Sequence, residues 1–448
     1  MSSQHQQPDF ITEVKQDLAD WRQWLGRAVV LGYAVLAGLA VVAFTHLSEF
    51  TMNSFNALCA WQPYAPLLWT PLLTALIVWV TRRYVPGAAG SGIPQVMAAL
   101  STRVEPRQRG IFVSLKLSLA KIVLTALGLL GGLPIGREGP SVQIAAGIMQ
   151  HARRWLPSRT TVNQQGLLVA GGAAGIAAAF NAPLAGVIFA IEELTRKIEH
   201  RSSGLIITAI VLAGLVAVAA FGNNTYFGVI HVQQLGWNYL LPSLSVIAAC
   251  GLLGGLFSRL LHASIVGGAD RFSAWRARRP VAFAAACGFA VAMIGLVSHG
   301  ATFGSGYDYT RHLVEGQAGN LPLLYVTLRL VATWIAVWSG VPGGIFAPTL
   351  AIGAGLGADM ALLTHMGGAG SAPLIAMGMA AFLAAVTQAP LTAFIIVMEM
   401  VDGHAMVLSL MAAALGASLL SRWFSAPLYP ALMQAQLKRL PQTPGVVD

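Results

Sequence analysis

Residues 171–193 read GGAAGIAAAFNAPLAGVIFAIEE, and residues 378–400 read GMAAFLAAVTQAPLTAFIIVMEM. The two stretches align without a gap at an offset of 207, and ten of 23 positions are identical. Ala-rich helices resemble one another by chance, so the alanines carry little weight. The matches of Ala182-Pro183-Leu184 with Ala389-Pro390-Leu391, and of Glu192 with Glu399, carry more. The same offset brings Gly136-Arg137-Glu138 onto Gly343-Gly344-Ile345, and Gly90-Ser91-Gly92 has a looser echo in Gly304-Ser305-Gly306. A repeat of this length points to a duplicated chain. Its halves are expected at 27–220 and 235–430, flanked by a cytoplasmic N-terminal segment at 1–26 and a cytoplasmic tail at 431–448.

Composition places this duplication in a membrane. Hydrophobic residues make up 56% of the 448 positions and charged residues only 10%, whereas soluble chains average about 25% charged. Apolar runs such as Val29–Phe44, Leu67–Val80, Leu240–Phe257, Val281–Val297 and Met406–Leu420 approach the length of a spanning helix. Roughly a dozen windows qualify, several of them interrupted by Gly and Pro. The expected fold class is an all-α polytopic membrane protein. The net charge of +10 sits in clusters at the ends of apolar runs, as in Arg82/Arg83, Arg103/Arg107/Arg109, Arg153/Arg154/Arg159, Arg196/Lys197/Arg201 and Arg276/Arg278/Arg279. That is the pattern of loops at a membrane face, not of a nucleic-acid surface. An anion-attracting field is a second consequence.

Other chemistries find little support. The first 25 residues lack the basic start and short apolar core of a signal peptide. Cys59, Cys250 and Cys287 are far apart in apolar surroundings and read as small buried hydrophobes. The ten histidines show no ligand spacing, and neither a His-Glu-x-x-His nor a Gly-x-Ser-x-Gly helix is present. No metal, cofactor or intramembrane hydrolase is expected. Duplicated membrane transporters place their substrate at the interface of the repeats, near the bilayer midplane.

Three segments share one construction: Gly90-Ser91-Gly92-Ile93-Pro94, Gly136-Arg137-Glu138-Gly139-Pro140 and Gly343-Gly344-Ile345-Phe346-Ala347-Pro348. Each runs from glycines to a proline and then into an apolar helix former. Proline suits the first helical turn, where its missing N–H costs nothing. The construction predicts a non-helical strip ending in a helix N-terminus, whose unpaired N–H groups and dipole hold an anion without a full positive charge. Such binding is weak enough to let the ion leave. Any one of these motifs is also compatible with a plain helix break. Three in a duplicated chain point to an anion path.

In this order, the three motifs resemble the signatures of the CLC family of chloride channels and proton-coupled chloride antiporters. Asn181-Ala182-Pro183-Leu184 and the late Pro427-Leu428-Tyr429 fit the same family. The resemblance covers about 30–430. It implies two inverted halves of many tilted and broken helices, a homodimer with one pore per subunit, and a multi-pass protein of a bacterial-type inner membrane. The end near 448 implies a prokaryotic type without the CBS domains of many eukaryotic members. Carried over by position, Ser91 and Tyr429 would offer hydroxyls to a central chloride. The backbone N–H groups of Ile345 and Phe346 would complete the site, with Gly139 among the chloride-binding positions. Glu138 would be the external gate, its carboxylate competing with chloride for the same helix ends. In the family Pro at the Ser91 position goes with nitrate and Met with fluoride, so Ser91 favours chloride.

The repeat separates two neighbouring acids. Glu192 has a counterpart in Glu399, whereas Glu193 faces Met400. A residue present in both halves suits a task both share, such as tying a helix end to a loop. A residue present once suits a task done once. The resemblance agrees, since Glu193 matches the internal proton-transfer glutamate of the antiporters, where channels usually carry an apolar residue. A carboxylate bridged to Arg196 or Lys197 is the competing reading. The implied function is chloride/proton antiport, with a passive chloride channel as the alternative. Gln95 and Met97 stand where many bacterial antiporters carry glutamates and are expected to alter the internal hydrogen-bond network. Lys121 and Arg329 fall at near-equivalent points of the two halves. They are either electrostatic supports of the anion path or partnered structural charges.

Overall fold

The apolar runs fold as helices wherever the chain is described, which in this computed structural model is residues 21–157, 163–195, 203–222, 225–228, 230, 236–316, 324–366 and 368–438. The first half contributes α1 (Trp21–Trp61), α2 (Pro66–Tyr84), α3 (Ile93–Leu100), α4 (Leu115–Leu130), α5 (Glu138–His151), α6 (Gln164–Ala179), α7 (Pro183–Phe189) and α8 (Ser203–Phe221). Between α7 and α8, residues Ala190–Leu194 widen into a π-turn. The second half contributes α9 (Leu240–Val266), α10 (Arg271–Arg278), α11 (Pro280–Val297), α12 (Tyr307–Val314), α13 (Tyr325–Ser339), α14 (Phe346–Leu363), α15 (Ser371–Thr387), α16 (Pro390–Met400) and α17 (Val407–Ser421). A last helix, α18 (Leu428–Leu437), follows. Helix α1 begins inside the expected N-terminal segment and α18 extends into the expected tail; residues 1–20 and 439–448 lie outside the described residues. So do Arg159, Arg196, Lys197 and Arg201.

Among the described residues, seven helices are long and apolar enough to cross a bilayer. This is fewer than the dozen apolar windows in the sequence, and the reason is local. Breaks at Gly340 and at Gln388-Ala389-Pro390 cut other apolar stretches into short helices such as α13, α15 and α16. Short helices inside a membrane are tolerated where their ends face protein or a wet cavity. Leucines on the perimeter, including Leu68, Leu119, Leu241 and Leu408, remain exposed, as a lipid-facing surface requires. By contrast, nearly every residue of α6 and α15 is buried. Helices α5 and α6 touch through Gly175, where a Cβ would strike the backbone of Ser141. Their counterparts α14 and α15 touch through Gly357, where a Cβ would strike Leu374. Small residues at crossings are how helices approach in lipid.

The halves meet through reciprocal bonds. Gly136 N donates to Gly344 O and Gly344 N to Gly136 O, both at 2.7 Å, in an antiparallel bridge. Equivalent Gly-rich breaks therefore lie antiparallel about a local two-fold, which is the relation of an inverted repeat. A second exchange lies at α7 and α16. Glu192 accepts from Leu391 N (3.0 Å) and Thr392 N (2.6 Å) at the start of α16. Glu399 accepts from Leu184 N (3.2 Å) and Ala185 N (2.6 Å) at the start of α7. Each carboxylate thus neutralises the positive end of a helix in the opposite half. Before each capped helix the chain turns on a left-handed residue, Asn181 (φ 54) or Gln388 (φ 61).

Candidate functional site

The three Gly-rich strips and Pro427 lead into α3, α5, α14 and α18, and the starts of these four helices converge. Ser91 lies against Gly139, and the Cα side of Gly344 faces the amide of Gly139. Phe346 and Tyr429 meet edge to face at 5.8 Å. A cavity of about 100 Å³ is lined by Gly90, Ser91, Gly343, Ile345 and Tyr429. Arg276 of the basic α10 lines the same cavity.

The strip that carries Ser91 is fixed from two sides. Gly92 adopts φ 114, a conformation only glycine takes readily. Gln95 Oε1 accepts from Gly92 N (3.0 Å), and Gln95 Nε2 donates to Ala89 O (2.5 Å). Lys121 Nζ, fully buried, donates to Ala88 O (2.6 Å) and Gly90 O (2.7 Å). The second half repeats this device. Buried Arg329 donates to Thr302 O (2.9 Å), Phe303 O (3.3 Å) and Gly304 O (2.7 Å), the residues leading into the echo strip. Of the two readings open for Lys121 and Arg329, both are partnered charges that collect carbonyls turned out by a broken helix.

The remaining polar atoms point at one another without closing bonds. Ser91 Oγ and Tyr429 Oη are shielded from solvent and lie near each other, and neither closes a well-formed hydrogen bond among the described residues. An unpaired buried hydroxyl costs about 1–3 kcal/mol, so two of them facing one cavity mark a place for a third group that accepts from both. Glu138 is fully buried. Its Oε2 accepts from Ala347 N at 3.4 Å, in the first turn of α14, and its Oε1 has no protein partner among the described residues. The Glu138 carboxylate thus lies at the same helix end that Ile345 and Phe346 open. Ile345 is the N-cap of α14 and Phe346 its first residue. Ala347 was not singled out from sequence, although it stands inside the third motif.

Glu193 sits in the π-turn beside Glu192 and is partly exposed. Its neighbour's oxygens are taken by the cap on α16, while Glu193 has no hydrogen bond to a described residue. π-Turns occur often at functional positions. Tyr429 lies within electrostatic reach of both Glu193 and Glu138. Arg137 and Tyr226 line two further cavities of about 330 and 600 Å³. Among the described residues no cluster of metal-ligating side chains occurs.

Fold and site together define a duplicated membrane protein with an anion path at the interface of its inverted halves. The chain belongs to the voltage gated chloride channel family, whose match spans residues 73–422. It is similar to the H(+)/Cl(-) exchange transporter ClcA of Citrobacter koseri, at 32% identity over 89% of this chain and 86% of that protein. The ClcA of Salmonella typhimurium matches with the same identity and coverage. Among solved structures, a slow cyanobacterial Cl-/H+ antiporter is similar with a TM-score of 0.77 and 25% identity, covering 92% of this chain and 98% of that one. A CLC-type fluoride/proton antiporter shares the fold with a TM-score of 0.73 at 22% identity, covering 95% and 99%.

Proposed function

We propose that this chain is a secondary active antiporter that moves chloride across the membrane in exchange for protons. The observation that carries this reading is the position of Glu138. Its carboxylate lies against Ala347 N at the start of α14, where the glycine strips bring helix N-termini together. An ionised carboxylate and a chloride ion are rivals for the same N–H groups. Protonation removes the charge of Glu138, frees the helix end and lets chloride move through. Return of the carboxylate expels the ion. Each passage is therefore tied to a proton on Glu138.

Chloride on this reading is held between Ser91 Oγ and Tyr429 Oη, with Ile345, Phe346 and Gly139 contributing backbone at the converging helix starts. Glu193 passes protons between the cytoplasm and Glu138 from its π-turn. Tyr429 stands within electrostatic reach of both acids, which ties the proton branch to the anion site. The protein works as a homodimer with one path per subunit, in a bacterial-type inner membrane. The two halves run from about residue 27 to 220 and from 235 to 430.

The test is proton flux in reconstituted vesicles. Given a chloride gradient alone, the protein should drive protons uphill. Chloride movement with no change in pH would make it a passive channel. Glu138→Gln should abolish proton movement, and Glu193→Gln should remove proton movement while chloride continues. Proton flux that survives Glu138→Gln removes the gate assignment. Equal loss of both fluxes in Glu193→Gln returns that residue to a structural role.

A further inference from the structure

The mouth on the Glu138 side contains a cation that the exchange mechanism above does not use. Arg137 is the N-cap residue of α5 and directly precedes Glu138. Its guanidinium is turned toward α1 and held there from several sides. It donates to Glu49 Oε1 (3.1 Å), Thr45 O (3.3 Å) and Tyr226 Oη (2.9 Å). It also lies over the Tyr226 ring at 5.5 Å. Tyr226 is in turn fixed, since Tyr307 Oη donates to its carbonyl at 2.8 Å and Phe180, Phe227 and Tyr307 surround its ring.

This assembly stands between the two cavities of the mouth, and Glu49, Arg137, Tyr226 and Tyr307 line both. Other charges face only one of them. Asp308 lines the first, and Arg311 and Asp402 the second. Arg311 is paired with Glu315 at 2.8 Å, and Asp402 lies 3.6 Å from His404. The Arg137 side chain is 11% exposed and that of Glu49 53%. The cation is therefore at the wall of the mouth but largely covered by its partners, and the one carboxylate among them is open to solvent.

We propose that Glu49 is a positioning residue that sets how strongly this mouth attracts chloride, by holding the Arg137 guanidinium against α1 and away from the anion path. The inference rests on the antiporter reading. With Glu49 in place, chloride meets the gate through helix N-termini alone. Without it, the guanidinium can turn into the cavity and hold chloride one residue away from Glu138.

The experiment is chloride uptake into right-side-out membrane vesicles from cells expressing the full chain, with outside chloride varied. Glu49→Gln should lower the chloride KM about threefold, the scale of a rim ion pair, with the maximum rate and the protons moved per chloride unchanged. In an Arg137→Gln background, the same change at Glu49 should have little effect on KM. An unchanged KM in Glu49→Gln overturns the proposal. So does an equal fall in KM in both backgrounds, which would make Glu49 a directly repelling charge. Should a variant fail to fold, Tyr226→Phe removes one partner of Arg137 and should move KM in the same direction; no movement overturns the proposal. Wild-type vesicles that take up no chloride at all would instead sink the antiporter reading.

Discussion

Each half of the molecule reaches into the other with one glutamate, and only the first half has a second glutamate beside it. Glu192 and Glu399 cap helices α16 and α7 in mirror fashion, with two N–H groups each. Glu193 has no such task, and its counterpart is Met400. The same division recurs at the glycine strips. Lys121 and Arg329 both gather carbonyls upstream of a break. Yet only the first-half strip places a serine hydroxyl in the cavity with Tyr429. Only the second motif puts an acid, Glu138, where the third has Ile345. Duplication supplied a scaffold of broken helices, and on the proposed reading the unmatched side chains supply the chemistry laid on it.

The comparison breaks most easily at the buried cations. Lys121→Met would strand two buried carbonyls and Arg329→Met three. The loss is about 1–3 kcal/mol for each buried carbonyl left without a donor. Thermal unfolding of the detergent-solubilised protein should show both variants with a large and comparable fall in Tm. Arg329→Lys should recover only part, because one ammonium cannot span three carbonyls. A Lys121→Met protein with wild-type Tm and lost transport would make that cation an element of the anion path, not a clamp.

A smaller effect separates the adjacent acids. Glu192→Ala and Glu399→Ala each remove two charge-assisted bonds at a helix start, worth about 2 kcal/mol in these partly exposed positions. Their Tm losses should match within error and add in the double variant, since each pair joins a different helix end. Glu193→Gln should leave Tm unchanged, within about 0.5 kcal/mol, while proton flux disappears. Unequal losses at Glu192 and Glu399 would mean that the symmetry of their bonds is not a symmetry of function.

Much of this was legible in the sequence, and for identifiable reasons. Composition required a membrane, and the gapless repeat required two related halves. Glycines followed by proline announced the starts of α3, α5 and α14, because only certain residues satisfy those backbone angles. The pairing of Glu192 with Glu399 foretold a shared structural task. What the sequence left open was geometry across distance. Nothing local says that Glu192 caps α16 rather than binding Arg196. Nor did the Gly-Arg-Glu motif show that Arg137 turns back to Glu49, 88 positions upstream. Gln95 was expected to alter the internal hydrogen-bond network. Its amide both accepts from Gly92 and donates to Ala89, a pair of bonds that an ionised carboxylate cannot make. Among the described residues seven helices are long and apolar enough to span, fewer than the apolar windows, because several windows hold the helix breaks already visible as Gly and Pro.

The smallest predicted effect concerns a piece that only the second half has. Helix α10 lies between α9 and α11 and has no counterpart between α1 and α2. It is held by its cap. Asp270 Oδ1 accepts from Phe272 N (2.9 Å) and Ser273 N (2.8 Å), and Oδ2 accepts from Ser273 Oγ (2.6 Å). These bonds, the Ser273 hydroxyl foremost, favour the ionised form and keep the Asp270 carboxyl below the usual aspartate range. A group whose value is depressed by folding stabilises the fold above its unfolded value, about 3.9, and loses that contribution as pH falls through the folded value. The cap is therefore constant from neutral pH down to about 5 and weakens only in stronger acid. Trp275 on α10 reports the change through its fluorescence. Its emission should shift below pH 4 in the wild type, and Asp270→Asn, which still caps but does not titrate, should not show that shift. The same acid shift in Asp270→Asn would place the titrating group elsewhere and leave α10 held by its packing alone.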